Sequence, residues 1–186
     1  MSGIIIFGAA GTGKTTLGRE TARMLGIKHL DLDDYYWRWD TEIPFTIFRP
    51  REEIVADLVR EVAEHSKFVM SGSMGSALRD ALPPWFRLAV FLTACSETRM
   101  ERLRAREFAN YGERTLEDGD MYELTRNFLG EALKYDTNEA KRFSTLEQHE
   151  EWIAELTCPV LRVNGAKPIA ENAKYIAEQY LQLIMN

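Results

Sequence analysis

The segment Gly8-Ala9-Ala10-Gly11-Thr12-Gly13-Lys14-Thr15 carries the full spacing G-x-x-x-x-G-K-[ST]. At this chain's composition, chance gives the pattern with a probability of about 0.003, so the spacing calls for a chemical reason. Glycines let a backbone curl until successive N–H groups point inward, which forms a cradle for phosphate oxygens. A helix starting behind the loop adds the positive end of its dipole. The lysine reaches β- and γ-phosphates, and the Thr15 hydroxyl is placed for Mg²⁺. The expected ligands are therefore ATP and Mg²⁺. Gly8, Ala9, Ala10, Gly11, Thr12, Gly13, Lys14, Thr15 and Thr16 would hold the nucleotide, with Lys14 also catalytic and Thr15 also on the metal.

A second informative segment is His29-Leu30-Asp31-Leu32-Asp33-Asp34-Tyr35-Tyr36-Trp37. Asp31 and Asp33 are two apart, so on an extended strand they share one face. At the end of a strand beside the phosphate loop, a carboxylate can accept the proton of a hydroxyl or help hold Mg²⁺ through water. Asp33 sits where the strand should end and is the leading candidate for both roles. Asp31 and Asp34 stand behind it; all three could equally be solvated turn acids. The aromatic run that follows can stack on a planar base or form the apolar wall of a small insert. Further on, Arg99, Arg102 and Arg106 are spaced three and four apart and fall on one helix face, while Arg104 points elsewhere.

The elements that must position these residues are legible from patterning. Ile4 to Phe7 is a short apolar run ending at Gly8, suited to a strand buried on both faces. A helix is expected over Lys14–Leu25, stopped by Gly26. Further strands are expected at Lys28–Leu32, Lys67–Met70, Leu88–Leu92 and Val160–Val163. Helices are expected at Arg51–His65, from a Ser96 cap to Phe108, over Met121–Tyr135, from the capping-box spacing Ser144–Glu147, and from Pro168 to Ile184. Asp33–Pro50 reads as irregular, and Ala109–Gly119 as a polar mobile loop. Five apolar strands separated by helices imply a parallel sheet covered on both faces, with function at the carboxyl ends of the strands.

Composition sets the bounds. The chain has 186 residues, 29 acidic and 23 basic side chains, and a net charge of −6. That length suits one domain, and that charge disfavours general binding to nucleic acid or an anionic membrane. An anionic ligand must therefore be held by a local device. Cys95 and Cys158 read as small buried hydrophobes in a reducing compartment, and the three histidines form no metal cluster. No run approaches the ~18 apolar residues of a membrane span. The expected location is cytoplasmic. No Asn-Lys-x-Asp follows the loop, which argues against a guanine-specific GTPase, and the chain is short for helicase or AAA+ machinery.

Taken together, these residues resemble the nucleoside-monophosphate-kinase-like group of P-loop small-molecule kinases, which includes adenylate, shikimate and gluconate kinases. The resemblance spans nearly the whole chain, and the phosphate loop is its only specific motif. It implies a three-layer α/β/α fold of the P-loop NTP hydrolase type, with a five-stranded parallel sheet in the order 2-3-1-4-5. One domain over 1–186 would carry an acceptor-binding insert at about 33–50 and a small lid at about 109–119. Asp31-Leu32-Asp33 can be laid on the D-x-D of shikimate kinases. Asp33-Asp34-Tyr35-Tyr36 is similar to the D-[DS]-F-[YF] of uridine-kinase-like enzymes. By the same resemblance, Arg102 and Arg106 belong to the arginines that close over ATP, with Arg114 behind them. Asn164 and Gly165 fall in the loop that wraps the adenine edge. Asp31, Asp34, Tyr35 and Arg79 are candidates for the acceptor side, Arg79 being a contact for an anionic or polyol group or a plain surface charge.

One departure matters. Ser71-Gly72-Ser73 stands where nucleotide kinases carry the Walker B acid. Similar small residues occur there in shikimate and gluconate kinases, so the resemblance moves metal duty toward Asp33. The expected activity is transfer of the ATP γ-phosphate to a small molecule, whether nucleotide, nucleoside, hydroxy acid or sugar. The alternatives are an ATP-binding regulatory or interaction protein with little transfer, or a phosphotransferase acting on an antibiotic or macromolecule.

Overall fold

The structure is a computed structural model and describes residues 1–43, 45–80 and 85–185. Pro44, inside the expected insert, lies outside the described residues. Chain order gives β1 (Ser2–Phe7), α1 (Lys14–Leu25), β2 (Lys28–Asp31), α2 (Leu32–Tyr36), α3 (Arg51–Glu64), β3 (Lys67–Ser71) and α4 (Ser76–Arg79). Then come β4 (Phe86–Thr93), α5 (Ser96–Tyr111), α6 (Tyr122–Leu133), α7 (Leu146–Glu155), β5 (Val160–Asn164) and α8 (Ile169–Met185). A 3₁₀ turn, Gly112–Thr115, follows α5.

All five strands are parallel, in the order β2-β3-β1-β4-β5. The fold class and strand order expected from the sequence are both present. β1 is apolar and fully buried from Ile4 to Phe7 because it is central and covered on both sides. Ile4 and Ile6 face a core with Leu17, Val69, Val90 and Ile176, beneath α1 and α8. Ile5 and Phe7 face the opposite core, with Leu58, Met70, Phe91 and Trp152, beneath α3 and α7. Burial of these runs is the main stabilising term, and it fixes the register at which every strand's carboxyl end arrives.

The structure corrects several boundaries, each for a local reason. β2 stops at Asp31 because the Asp31 side chain accepts from the Asp33 backbone N–H (3.2 Å) and starts a helix. Asp31 and Asp33 therefore do not share a strand face. Ser96 is the first residue of α5 and Cys95 occupies the cap position, with no side-chain cap bond. Helix α5 runs to Tyr111, and the 3₁₀ turn takes up part of the stretch read as a loop. The capping box is real but one residue later: Thr145 accepts from the Gln148 N–H (3.3 Å), and Gln148 accepts from the Thr145 N–H (3.2 Å). Cys95 is exposed rather than buried.

Candidate functional site

The loop between β1 and α1 has the backbone that its glycines permit. Gly8, Gly11 and Gly13 all hold positive φ, at 145°, 82° and 96°. At Gly11 a Cβ would lie 2.6 Å from the Arg99 carbonyl, and at Gly8 it would collide with the Leu92 carbonyl. The loop is thus packed from behind by α5 and β4, and its open side is the concave one. Within it the Ala9 carbonyl collects both the Thr12 hydroxyl (2.9 Å) and the Lys14 ammonium (2.8 Å). Burial pulls the Lys14 ammonium down to about 8, with Asp33 opposing that shift and Arg106 adding to it.

Asp33 stands across the cleft on α2. Burial and the neighbouring Asp31 push its carboxyl up; Lys14, Trp37 and Arg106 pull it back. Lys14 and Asp33 therefore sense each other's charge, which places them on the same cleft. A short hydrogen-bonded chain sets their relative position. The Tyr36 hydroxyl donates to the Ser73 carbonyl (2.8 Å), and the Ser73 hydroxyl donates to the Gly8 carbonyl (3.4 Å). Gly72 at φ 141° makes this close approach feasible, since a Cβ there would press on Leu32 at 2.7 Å. Ser71, at the vacant Walker B position, is fully buried and bonded to His29 Nε2 (2.9 Å).

The other expected residues are distributed as follows. Arg102 donates to the Thr12 carbonyl (3.3 Å) and the Gly165 carbonyl (3.0 Å), so it clamps the phosphate loop to the loop after β5. Thr12, Gly13, Thr16, Arg102 and Gly165 line a recess of about 180 Å³ there. Thr15, half-buried, is the second residue of α1, directly after Lys14. Asn164 is exposed and closes its own turn: its side chain accepts from the Ala166 N–H (2.9 Å) and its carbonyl from Asn172 (2.8 Å). Arg106 pairs with Glu107 (2.9 Å) and lies over the Phe128 ring (5.3 Å), while its charge still reaches Lys14 and Asp33. Arg99 is on the same face but turns into the core. It is fully buried, pairs with Asp136 and lies over the Tyr135 ring.

Asp34 and Tyr35 turn away from Lys14. Asp34 lines a separate open recess of about 450 Å³ with Trp37, Trp39 and Arg49; burial and Asp31 push its carboxyl up. Burial and carboxylates that include Glu61 and Asp57 on α3 push the Tyr35 hydroxyl to about 12. Arg79 packs over the Trp152 ring (5.1 Å) and lies 3.8 Å from Glu155. The aromatic run mostly packs on itself, with Trp37 and Phe48 rings 4.0 Å apart and joined by an antiparallel bridge.

These residues fit a nucleoside triphosphate with Mg²⁺. The cradle leaves no room for side chains at its back, a lysine stands over it, and a hydroxyl sits in the first turn of the following helix. Among the described residues no group of three or more His, Cys, Asp or Glu side chains could hold a metal alone. A cation here would be shared with phosphate oxygens, as suits Mg²⁺.

Residues 4–123 match the family described as AAA domain. The chain belongs to that family. This AAA-domain chain is 38% identical over 175 residues to YqaC of Bacillus subtilis, an uncharacterized protein, covering 94% of the chain and 95% of that relative. It is 28% identical over 144 residues to the shikimate kinase of Parabacteroides distasonis, covering 72% of the chain and 80% of that kinase. The solved shikimate kinase from Bacteroides thetaiotaomicron superposes with a TM-score of 0.55 at 21% identity, over 96% of this chain and 97% of that one. The AAA-domain chain thus has a shikimate-kinase-like P-loop fold. Among its described residues no helix is long and apolar enough to cross a membrane.

Sequence reasoning singled out Arg99 without foreseeing its burial, and it gave no role to the buried Tyr135 and His149. Arg99 was visible in the arginine row, but its partner Asp136 is 37 residues away. Nothing local marked His149, which sits against Phe7 and Phe91 (ring centroids 5.4 and 5.8 Å).

Proposed function

We propose that this protein is an ATP- and Mg²⁺-dependent phosphotransferase that moves the γ-phosphoryl group to a hydroxyl of a small molecule. The observation that carries the reading is the glycine-built loop with Lys14 held at its Ala9 carbonyl, close enough to Asp33 for each to feel the other's charge. The family and the similarity to shikimate kinases support it.

Lys14, released from the Ala9 carbonyl, holds the terminal phosphates with the loop's N–H groups. Thr15 would hold Mg²⁺, with Asp33 assisting, and the ion when bound neutralises charge on the phosphates. Asp33 orients the acceptor hydroxyl and accepts its proton; a carboxyl pushed upward is a better base than an ordinary aspartate. Arg102 keeps the phosphate loop in place, with Gly165 beside the base. Arg106, freed from Glu107, would reach the transferring group, and closure of segment 109–119 would exclude water. Segment 33–50 borders the acceptor, with Asp31 fixing the α2 start beneath Asp33, and Asp34, Tyr35 and Arg79 on its outskirts. Nucleosides, nucleotides, hydroxy acids and sugars are the acceptor classes to test.

A second reading, an ATP-binding regulatory protein with little transfer, draws on Ser71, whose hydroxyl is committed to His29 at the place of a Walker B acid. ADP release separates the two. Expected is release stimulated by one acceptor in a panel of nucleosides, nucleotides, sugars and hydroxy acids, and lost in Asp33→Asn. If no acceptor raises turnover above slow hydrolysis, the regulatory reading replaces the first.

A further inference from the structure

His149 lies on α7 with its side chain under the carboxyl end of β1. It is 2% exposed and wedged against Phe7, the residue immediately before the phosphate loop. Its Nδ1 is 2.8 Å from the Tyr135 hydroxyl, a contact buried in the same place. Burial pushes the Tyr135 phenol far upward, so it keeps its proton. That hydroxyl makes no other hydrogen bond among the described residues, so it donates to Nδ1. The imidazole proton is then on Nε2. Burial, with Lys14 and Arg79 adding to it, holds the ring neutral by pulling it down to about 3.

The Nε2–H is therefore a fixed donor, and it has no protein partner among the described residues. Arg79 repeats the pattern nearby. Its Nε is also buried without a partner, and its guanidinium covers the ring of Trp152, one helical turn from His149 on α7. An unpaired buried donor costs about 1–3 kcal/mol, which a bound oxygen would recover. His149 feels the charge of both Lys14 and Arg79, so two unpaired donors on neighbouring elements suit an oxygen-rich group.

We infer that the His149 Nε2–H and the Arg79 Nε–H form a recognition point for an oxygen of the acceptor, a carboxylate or polyol hydroxyl held next to Lys14. Tyr135 is the positioning residue that fixes the donor tautomer. This rests on the phosphotransferase reading for the word acceptor, but the oxygen site itself does not. It narrows the acceptor to hydroxy acids and sugars over simple nucleosides.

The test uses the wild-type protein, ¹⁵N-labelled at histidine. The His149 ring signals are assigned by their loss in His149→Gln. Shikimate, D-gluconate and adenosine are added in turn over ADP·Mg²⁺, with a non-hydrolysable ATP analogue and Mg²⁺ alone as the other arm. Expected is a downfield shift of the Nε2–H and slowed solvent exchange with shikimate or gluconate only. A shift by the ATP analogue alone gives the donor to a phosphate and overturns the inference, as does no shift with any compound. Where a compound is phosphorylated, His149→Leu should raise its KM at least about tenfold and leave the KM for ATP unchanged. His149→Gln, which keeps a donor near Nε2, should restore it. Equal effects on both KM values make His149 structural and overturn the inference. Phosphate transfer without a His149 shift sinks the inference and spares the kinase reading. A shift without transfer does the reverse.

Discussion

The connections after β1 and after β2 lie two strands apart at the same end of the sheet, yet they are built on opposite principles. The first is a six-residue turn, Gly8–Gly13, whose shape is dictated by backbone: three left-handed glycines, two of them with a carbonyl directly behind. The second runs from Leu32 to Pro50 and is dictated by side chains: a five-residue helix, a Trp37–Phe48 bridge, and exposed Trp39, Ile47 and Phe48. Phosphates look the same in every nucleotide, so a backbone cradle serves them all. On the proposed phosphotransferase reading an acceptor is individual, so a wall built from side chains would suit it.

The contrast predicts unequal responses to substitution. The largest is Lys14→Ala, which should cut ATP turnover by about 10³ while leaving the thermal midpoint near the parent value; steady-state ADP release checks it. Gly11→Ala adds one carbon against the Arg99 carbonyl at φ 82° and should cost about 3 kcal/mol in urea unfolding. Asp33→Asn should lower kcat by about 10² with ATP affinity, read by calorimetry, unchanged. Equal losses of ATP affinity would place Asp33 on the nucleotide side and erase the contrast. At the small end, Ile47→Ala removes three carbons from the exposed insert and should shift stability by less than about 0.5 kcal/mol.

The pH profile sharpens the same contrast. Loss of the Lys14 proton weakens phosphate binding, so kcat/KM for ATP should fall as pH rises through about 8. Asp33 must be ionised to act as base, and its carboxyl is pushed upward, so turnover should fall as pH drops through a value above the usual aspartate range. Asp33→Asn should abolish the acid limb and keep the alkaline one. Retention of the acid limb assigns it to another group.

Sequence legibility follows the same division. The phosphate loop was readable because its backbone permits only glycine at fixed steps, and the sheet because central strands must be apolar on both faces. The relation of Asp31 to Asp33 was misread because a side-chain cap competes with strand pairing over a single residue, and periodicity is blind to that choice. Arg99, Arg102 and Arg106 share a helix face as their spacing requires. Even so, one is buried on Asp136, one grips two loops and one pairs with its neighbour, because tertiary partners decide what a guanidinium does. His149 was unreadable since its surroundings, Phe7, Phe91 and Tyr135, are scattered across the chain and meet only after folding.

The Arg102 bridge to the Thr12 and Gly165 carbonyls has a calorimetric meaning. Two loops more than 150 positions apart in the chain are ordered together before any nucleotide arrives. The entropy of fixing them belongs to folding, so little remains to be lost on binding. The heat of nucleotide association should then report contacts rather than loop ordering, and should stay nearly constant across substitutions in the aromatic insert.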